Sequence, residues 1–303
     1  MTSTVWITGV LGFTARHFVH YLNSLADSHR LIGLDISHGD IEGLDEFHQV
    51  DLSNVQYIEQ LAKQTRPSTV IHLAGIMHSD EECDMWRVNV GGTTSLLTGL
   101  AAAGLTDLTV LGIGSAAEYL PTINGALKED GLCGGKTSYG RTKWAQTLLT
   151  LGFGTQLPIR VLIARPFNLI GPGLSTNLVA GSLCAQFSRT NKTEIMVGNV
   201  RAERDFIDVR DAVRGYWQIL QNGISGEVYN ICTGIPTSID ELLEIFSDLT
   251  GGIHSVTIDP ARIKQVDIDR AYGSYEKLYR TTHWLPKISL RESIHDMLAE
   301  ARA

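Results

Sequence analysis

The chain has 303 residues, of which 43 % are hydrophobic and 19 % charged, and its formal net charge is -8. That is more than one minimal domain requires, and the balance is that of a soluble globular protein. A net negative chain without a Lys/Arg block argues against nucleic-acid binding, and no apolar run reaches membrane-spanning length. Cys83, Cys133, Cys184 and Cys232 lie far apart with no Cys-x-x-Cys pair, and the first strand starts too early for a signal peptide, so the expected setting is the cytoplasm.

Val5, Trp6 and Ile7 predict a buried strand. The turn Thr8-Gly9-Val-Leu-Gly12-Phe-Thr-Ala15 follows, and Phe13, Phe18, Val19 and Leu22 then recur at helical spacing. Strand, glycine turn and helix together make a pyrophosphate site: glycine permits the turn and a close approach, and the helix N-terminus offers free N–H groups. The spacing Gly-x-x-Gly-x-x-Ala is not the commoner dinucleotide spacing, and a glycine turn of this kind also arises for geometry alone. Gly9, Leu11, Gly12 and Phe13 are the candidate cofactor contacts here. Leu31 to Asp35 reads as a second strand ending in an acid, about 20 residues beyond the turn, where a carboxylate bonds the adenosine ribose hydroxyls. Such a carboxylate repels a 2'-phosphate and so favours NAD(H). Arg16, just past the turn, attracts one and leaves NADP(H) open. The competing reading of Asp35 is an acid that starts a turn.

Further along, Val70 to Ala74 predicts a strand, Val88 to Ala103 a helix, Leu108 to Ile113 a strand, Tyr139 to Phe153 a helix and Ile159 to Ala164 a strand. Alternation of this kind predicts an α/β fold, a Rossmann-type doubly wound parallel sheet with ligands at the carboxyl ends of its strands. The second half is less regular. Residues 166–173 read as a Pro/Gly-rich loop, Asn177 to Ser188 as a helix and Val228 to Ile231 as a strand. Ser238–Glu241 and Ser289–Glu292 are capping boxes that open two more helices. Lacking a low-complexity linker, the second half predicts a smaller, interleaved α/β substrate-binding lobe. The expected division is residues 1–165 with about 205–230 for dinucleotide binding, and 166–204 with 231–303 for the substrate.

Tyr139 and Lys143 are four residues apart and share a helix face. A free phenol titrates near ~10, and each unit of lowering requires about 1.4 kcal/mol. A neighbouring ammonium is expected to supply part of that and to favour the phenolate. Ser115, at the end of the preceding strand, can hold a substrate oxygen beside the phenol, which makes Ser115, Tyr139 and Lys143 the candidate catalytic set. The competing reading is a chance pair on a surface helix. His72, His78, Asp80, Glu81, Glu82 and Cys83 crowd together but lack zinc spacing, so no metal site is expected.

With these residues in place, the chain resembles the extended short-chain dehydrogenase/reductases, the NAD-dependent epimerase/dehydratase family. The motifs TGVLGFTA, VIHLAG and YGRTK carry the resemblance, with Asp35, residues 50–52, Val88-Asn89-Val90, Gly92-Thr93, Gly114-Ser115 and residues 164–168. It implies that Asp51 and Leu52 lie at the adenine, that Ala74 and Gly75 line the cofactor, that Asn89 sits in the active-site wall and that Pro166 approaches the nicotinamide. It also implies that Asn168 contacts the sugar nucleotide and that Lys143 bonds a ribose.

The second half is most similar to the nucleotide-sugar 4-ketoreductases of that family, through residues 167–173, 197–199, 204–211, 226–232, 259–262, 273–278 and 284–286. By that resemblance Arg204 and Arg262 bind the diphosphate, a role that suits the guanidinium fork. Their alternative is a surface ion pair with Asp205 or Asp259. Ala116 and Ala117 stand where dehydratases of the family carry an acid, which disfavours dehydration, and the loop 79–84 is short and acidic.

The resemblance implies an NAD(P)H-dependent reduction of the 4-keto group of a nucleotide-activated deoxysugar. The alternatives are a nucleotide-sugar 4-epimerase with retained NAD and a non-catalytic cofactor-sensing protein. It also implies a homodimer, for which Leu96, Leu97, Leu100, Trp144, Leu148 and Leu151 are candidate contacts if they do not pack on their own sheet.

Overall fold

The strand β1 (Ser3–Thr8) is apolar at consecutive positions because both of its faces are covered. Val5 and Ile7 enter one core with Phe18, Val19 and Leu22 of α1 (Phe13–Asn23), and Trp6 enters the opposite core. The computed structural model describes residues 3–120, 125–189, 194–252, 255–262 and 268–302.

The chain continues through β2 (His29–Asp35), β3 (Glu46–Gln49), α2 (Val55–Thr65) and β4 (Thr69–His72). A short helix α3 (Glu82–Met85) runs through a π-type turn, Trp86–Gly91, into α4 (Gly92–Ala102). Then come β5 (Thr109–Ile113), α5 (Ser138–Gln156) and β6 (Arg160–Pro166). With β10 (Val228–Ile231) these strands form a seven-stranded sheet in the order β3-β2-β1-β4-β5-β6-β10. Every neighbouring pair in it is parallel. The strand order reverses between β1 and β4, which opens a crevice at their carboxyl ends.

Helices cover both faces. α1 packs with α7 (Val209–Asn222) on one side, and α2 packs with α4 on the other. Leu96, Leu97 and Leu100 all lie in the core beneath α4, and Leu151 packs against it. These residues are therefore committed to their own sheet. Of the candidate dimer contacts Leu148 is the one well exposed, at 50 %.

The second lobe consists of short paired segments. β9 (Glu203–Asp208) pairs with β7 (Asn168–Ile170), β11 (Pro236–Ser238) and β13 (Arg270–Ala271), and β8 (Glu194–Val197) pairs with β12 (Ser255–Ile258). Part of the expected loop 166–173 is thus strand, because Asn168–Ile170 finds a partner in β9. The helices α6 (Val179–Phe187), α8 (Ile239–Thr250) and α10 (Leu290–Arg302) enclose a separate core around Phe187 and Phe246. The capping box at Ser238 and Glu241 is formed in both directions, and Ser289 Oγ accepts from Glu292 N. The remaining helix, α9 (Glu276–Thr282), returns to the first lobe, where Leu278 and Trp284 join the core of α1 and α7.

Candidate active site

The glycine turn is held by two constraints. Gly9 has φ +66°, and a Cβ there would lie 2.7 Å from the Cα of Ala74, so a side chain would push β1 and β4 apart. Helix α1 starts with Gly12 as its N-cap, with no side chain capping it and no acid in its first turn. Its leading N–H groups therefore face the crevice with a positive dipole end. Asp35 reaches the turn from the end of β2. Its Oδ2 accepts from Leu11 N at 3.0 Å and its Oδ1 from Ser37 N at 3.0 Å. Arg16 Nε donates to Leu11 O, so its guanidinium is anchored at the same end. Uncapped amides, a glycine cradle and a carboxylate beside it form a donor and acceptor set that fits a dinucleotide.

Ala74 and Gly75 follow β4 after Leu73, and Ala74 N donates to Thr8 Oγ1. Asp51 follows β3 and turns the chain by accepting from Ser53 N at 2.9 Å, a bond that lowers its carboxyl pKa, and Leu52 packs on the neighbouring core. The Asn89 side chain is wholly buried. Its Oδ1 accepts from Ile76 N and its Nδ2 donates to Ile76 O and Thr142 Oγ1, which ties the wall after β4 to α5.

His72 is a joint in the same wall. Thr93 donates to Asn89 O, so it accepts from His72 Nε2, and His72 Nδ1 accepts from Thr8 in turn. Burial lowers the pKa of this imidazole to about 3, so it stays neutral. Among the described residues, no three His, Cys, Asp or Glu side chains gather where they would hold a metal ion.

The catalytic candidates converge at the end of β5. Ser115 caps a short turn, Ala116–Glu118, by accepting from Ala117 N at 3.1 Å. Thr137 caps α5 by accepting from Gly140 N. A Cβ on Gly140 would lie 2.2 Å from Ala117 O, so glycine there allows α5 to press against the turn. That contact sets Tyr139 beside Ser115, whose hydroxyl acts on the phenol. Lys143 is buried one turn on, and its Nζ donates to Gln146 Oε1.

The titration of this pair differs from the sequence expectation. Burial raises the Tyr139 pKa to about 12, against a lowering by Ser115, and burial lowers the Lys143 pKa to about 8. Desolvation outweighs the pairing in this pocket. The phenol therefore stays protonated at neutral pH, as a proton donor requires. The ammonium is present below about pH 8 and lost above it. The kcat/KM for the cofactor, which reports the free enzyme, is expected to fall as pH rises through that value, and a pH–rate profile checks it. A flat profile to pH 10 would remove Lys143 from the chemistry.

Sequence reasoning missed the groups beneath this surface. Glu118 is wholly buried and paired with Arg165 of β6 at 2.8 Å, and their side chains are 0 % and 1 % exposed. Residues 47 positions apart in sequence give no local signal of such a pair. The pairing turns Glu118 inward, and Ala116 and Ala117 have no proton to give.

Pro166 ends β6 and is buried beside this site. Asn168 is exposed, with Nδ2 donating to Asp205 O. Arg204 donates to the carbonyls of Glu203 and Ile268. Asp205 is turned into the lobe, where it accepts from Thr233, Gly234 and Gly273. Arg262 forms the ion pair with Asp259 that the sequence offered as its alternative, at 3.4 Å, and also donates to Ser182 Oγ and Met196 O.

Known proteins bear on this arrangement directly. The model of the NAD dependent epimerase/dehydratase family matches residues 5–232. GDP-6-deoxy-D-mannose reductase of Pseudomonas aeruginosa is 31 % identical, across 99 % of this chain and 97 % of that protein. The structure of RMD from Pseudomonas aeruginosa complexed with NADPH matches with a TM-score of 0.88 at 28 % identity, covering 99 % of each chain. UDP-glucose 4-epimerase from Thermotoga maritima, solved with UDP-glucose, gives a TM-score of 0.88 at 22 % identity over 99 % of this chain and 98 % of that one, a likeness of fold. Matched over most of its length by the family model and over its full length by a curated relative, the chain belongs to the NAD-dependent epimerase/dehydratase family.

Proposed function

We propose that this protein reduces the 4-keto group of a nucleotide-activated deoxysugar, with GDP-4-keto-6-deoxy-D-mannose as substrate and GDP-D-rhamnose as product. The observation that carries this reading is Tyr139 at the start of α5, set beside Ser115 at the end of β5 with Lys143 one turn away, in a chain similar throughout to a GDP-6-deoxy-D-mannose reductase. Reduced nicotinamide, when bound, supplies hydride to the carbonyl carbon. Ser115 holds the carbonyl oxygen, and Tyr139 gives that oxygen its proton. Lys143 lies on the same helix face and stabilises the phenolate left behind. Its second role is to bond the nicotinamide ribose. Gly9, Leu11, Gly12 and Phe13 receive the pyrophosphate, Asp51 and Leu52 the adenine end, and Ala74, Gly75, Asn89 and Pro166 the remaining wall. Asn168, Arg204 and Arg262 are the sugar-nucleotide contacts, and the lobe of residues 166–204 and 231–303 closes over that ligand. For Arg262 this role requires release of Asp259.

The test is nicotinamide absorbance with GDP-4-keto-6-deoxy-D-mannose, using NADH and NADPH separately. Stoichiometric oxidation of free cofactor is expected. Interconversion of 4-epimers with cofactor retained through purification would instead make the protein an epimerase. Asp35 is the filter we assign to the adenosine end, and NADH is expected to be the faster donor. An Asp35→Asn exchange is expected to shift the NADH/NADPH ratio of kcat/KM by about tenfold or more toward NADPH, equivalent to ~1.4 kcal/mol. An unchanged ratio would remove Asp35 from cofactor choice and leave Arg16 as the determinant. The four cysteines are unpaired thiols, in keeping with a cytoplasmic setting. A homodimer through α4 and α5, with Leu148 in the contact, completes the proposal, and light scattering on the purified protein tests it.

A further inference from the structure

Beneath the Ser115–Tyr139 pair one carboxylate makes four hydrogen bonds. Glu118 Oε1 accepts from the backbone N–H of Ser115 at 2.7 Å and from Thr147 Oγ1 at 3.1 Å. Its Oε2 accepts from Arg165 Nε at 3.1 Å and Nη2 at 2.8 Å. The four donors come from three elements: the end of β5, helix α5 and strand β6. No water reaches this carboxylate, since its side chain is wholly buried. A buried charge with all its bonding positions filled fixes its neighbours more tightly than a solvated one. Gly114 leaves it room, because a Cβ there would lie 2.3 Å from Glu118 Oε1.

Resting on the catalytic roles given above to Ser115, Tyr139 and Lys143, we propose that Glu118 is a positioning residue for the reaction: it fixes the backbone that aims the Ser115 hydroxyl and is the counter-ion of Lys143 within the buried site. The first part follows from geometry. Ser115 Oγ is fixed by Ala117 N, and Ser115 N by Glu118, so the residue is held at both ends of its Ncap turn. The second part follows from placement and charge. Glu118 Oε1 accepts from Thr147, which lies four residues past Lys143 on the same buried face of α5, so the carboxylate stands on the Lys143 side of that helix and its field opposes the desolvation of the ammonium. Other titratable groups surround the two. From α5 comes Tyr139; from β6, Arg165; from β4, neutral His72; from the segment before α5, Glu129 and Cys133; and just after the turn, Tyr119. Arg165 shares Oε2, and the Lys143 field also acts on Glu118.

Two variants of the full-length protein separate charge from placement. Glu118→Gln keeps an acceptor for Ser115 N and loses the charge. Its alkaline limb of kcat/KM is expected to move about one pH unit lower, because an uncompensated Lys143 gives up its proton sooner. Glu118→Asp keeps the charge and loses reach. Its limb is expected to stay in place while kcat falls about 10- to 100-fold, the scale set by ångström-level misplacement, with KM little changed. Melting temperature and cofactor affinity, measured alongside, separate these effects from unfolding. A folded Gln variant with the wild-type limb overturns the counter-ion role, and an Asp variant with wild-type kcat overturns the positioning role. If the Gln variant does not fold, the Asp variant decides alone, since it retains the ion pair: the expected loss upholds the inference, and wild-type kcat overturns it. Tyr139→Phe is run in parallel. A fully active Phe variant fails the catalytic reading itself, whereas an inactive one beside unaffected Glu118 variants fails this inference alone.

Discussion

Tyr139→Phe is expected to lower kcat by about 10²- to 10⁴-fold, the usual contribution of a positioned proton donor, or roughly 3–5 kcal/mol of transition-state stabilisation. The substitution removes one oxygen and keeps the ring. The start of α5 is held by Thr137 and by the close approach of Gly140 to Ala117, neither of which involves the phenol. The glycine turn, Asp35 and Lys143 also remain, so cofactor affinity is expected to stay within about threefold, less than 1 kcal/mol. Ser115 would still bond the substrate oxygen, and KM for the sugar is expected to change little. Steady-state kinetics with a parallel fluorescence titration of reduced cofactor measures both quantities. Loss of kcat with retained binding identifies a group that acts in the transition state. Turnover equal to wild type would remove Tyr139 from the proton transfer.

What was legible in the sequence was local. The first strand, turn and helix follow from an apolar run, two glycines and residues recurring at helical spacing, all within residues 5–22. The capping box at Ser238 and Glu241 is a four-residue signal, and it forms as read. The Ser115, Tyr139 and Lys143 set needed one strand end and one helix face, and the structure brings these together.

What was not legible depended on partners remote in sequence. Residues Asn168–Ile170 look like part of a loop until β9 pairs with them. Leu96, Leu97 and Leu100 fit a dimer face or an internal core equally by periodicity, and the packing of α4 on α2 commits them to the core. The phenol shift was misjudged because spacing reveals the lysine but not the absence of water around it. Glu118 and Arg165 are charged residues that composition alone would place at the surface. Their burial follows only from β6 lying beside β5.

Arg165→Met is expected to destabilise the fold by about 3–5 kcal/mol. Arg165 lies over the Tyr119 ring at 4.5 Å and pairs with Glu118 through two nitrogens. Methionine fills much of the volume but leaves a carboxylate in a site without water. Breaking a buried pair on one side costs about 3–5 kcal/mol, whereas replacing both members with neutral groups of similar size is often nearly neutral. The double variant Glu118→Gln/Arg165→Met is therefore expected to be more stable than Arg165→Met alone, a coupling that urea denaturation resolves. The pH dependence has a definite sign. Burial raises the Glu118 pKa above its ordinary value even with Arg165 present, and loss of the guanidinium raises it further. A carboxyl raised in the folded state binds its proton more tightly there than in the unfolded chain. Its stabilising contribution is complete below the unfolded pKa and lost as pH rises through the folded one. Arg165→Met should thus lie closest to wild-type stability in mild acid and fall away toward neutral pH. A single variant as stable as wild type at pH 7 would mean that Glu118 is already protonated there, and that the bond to Ser115 N survives on a neutral acid.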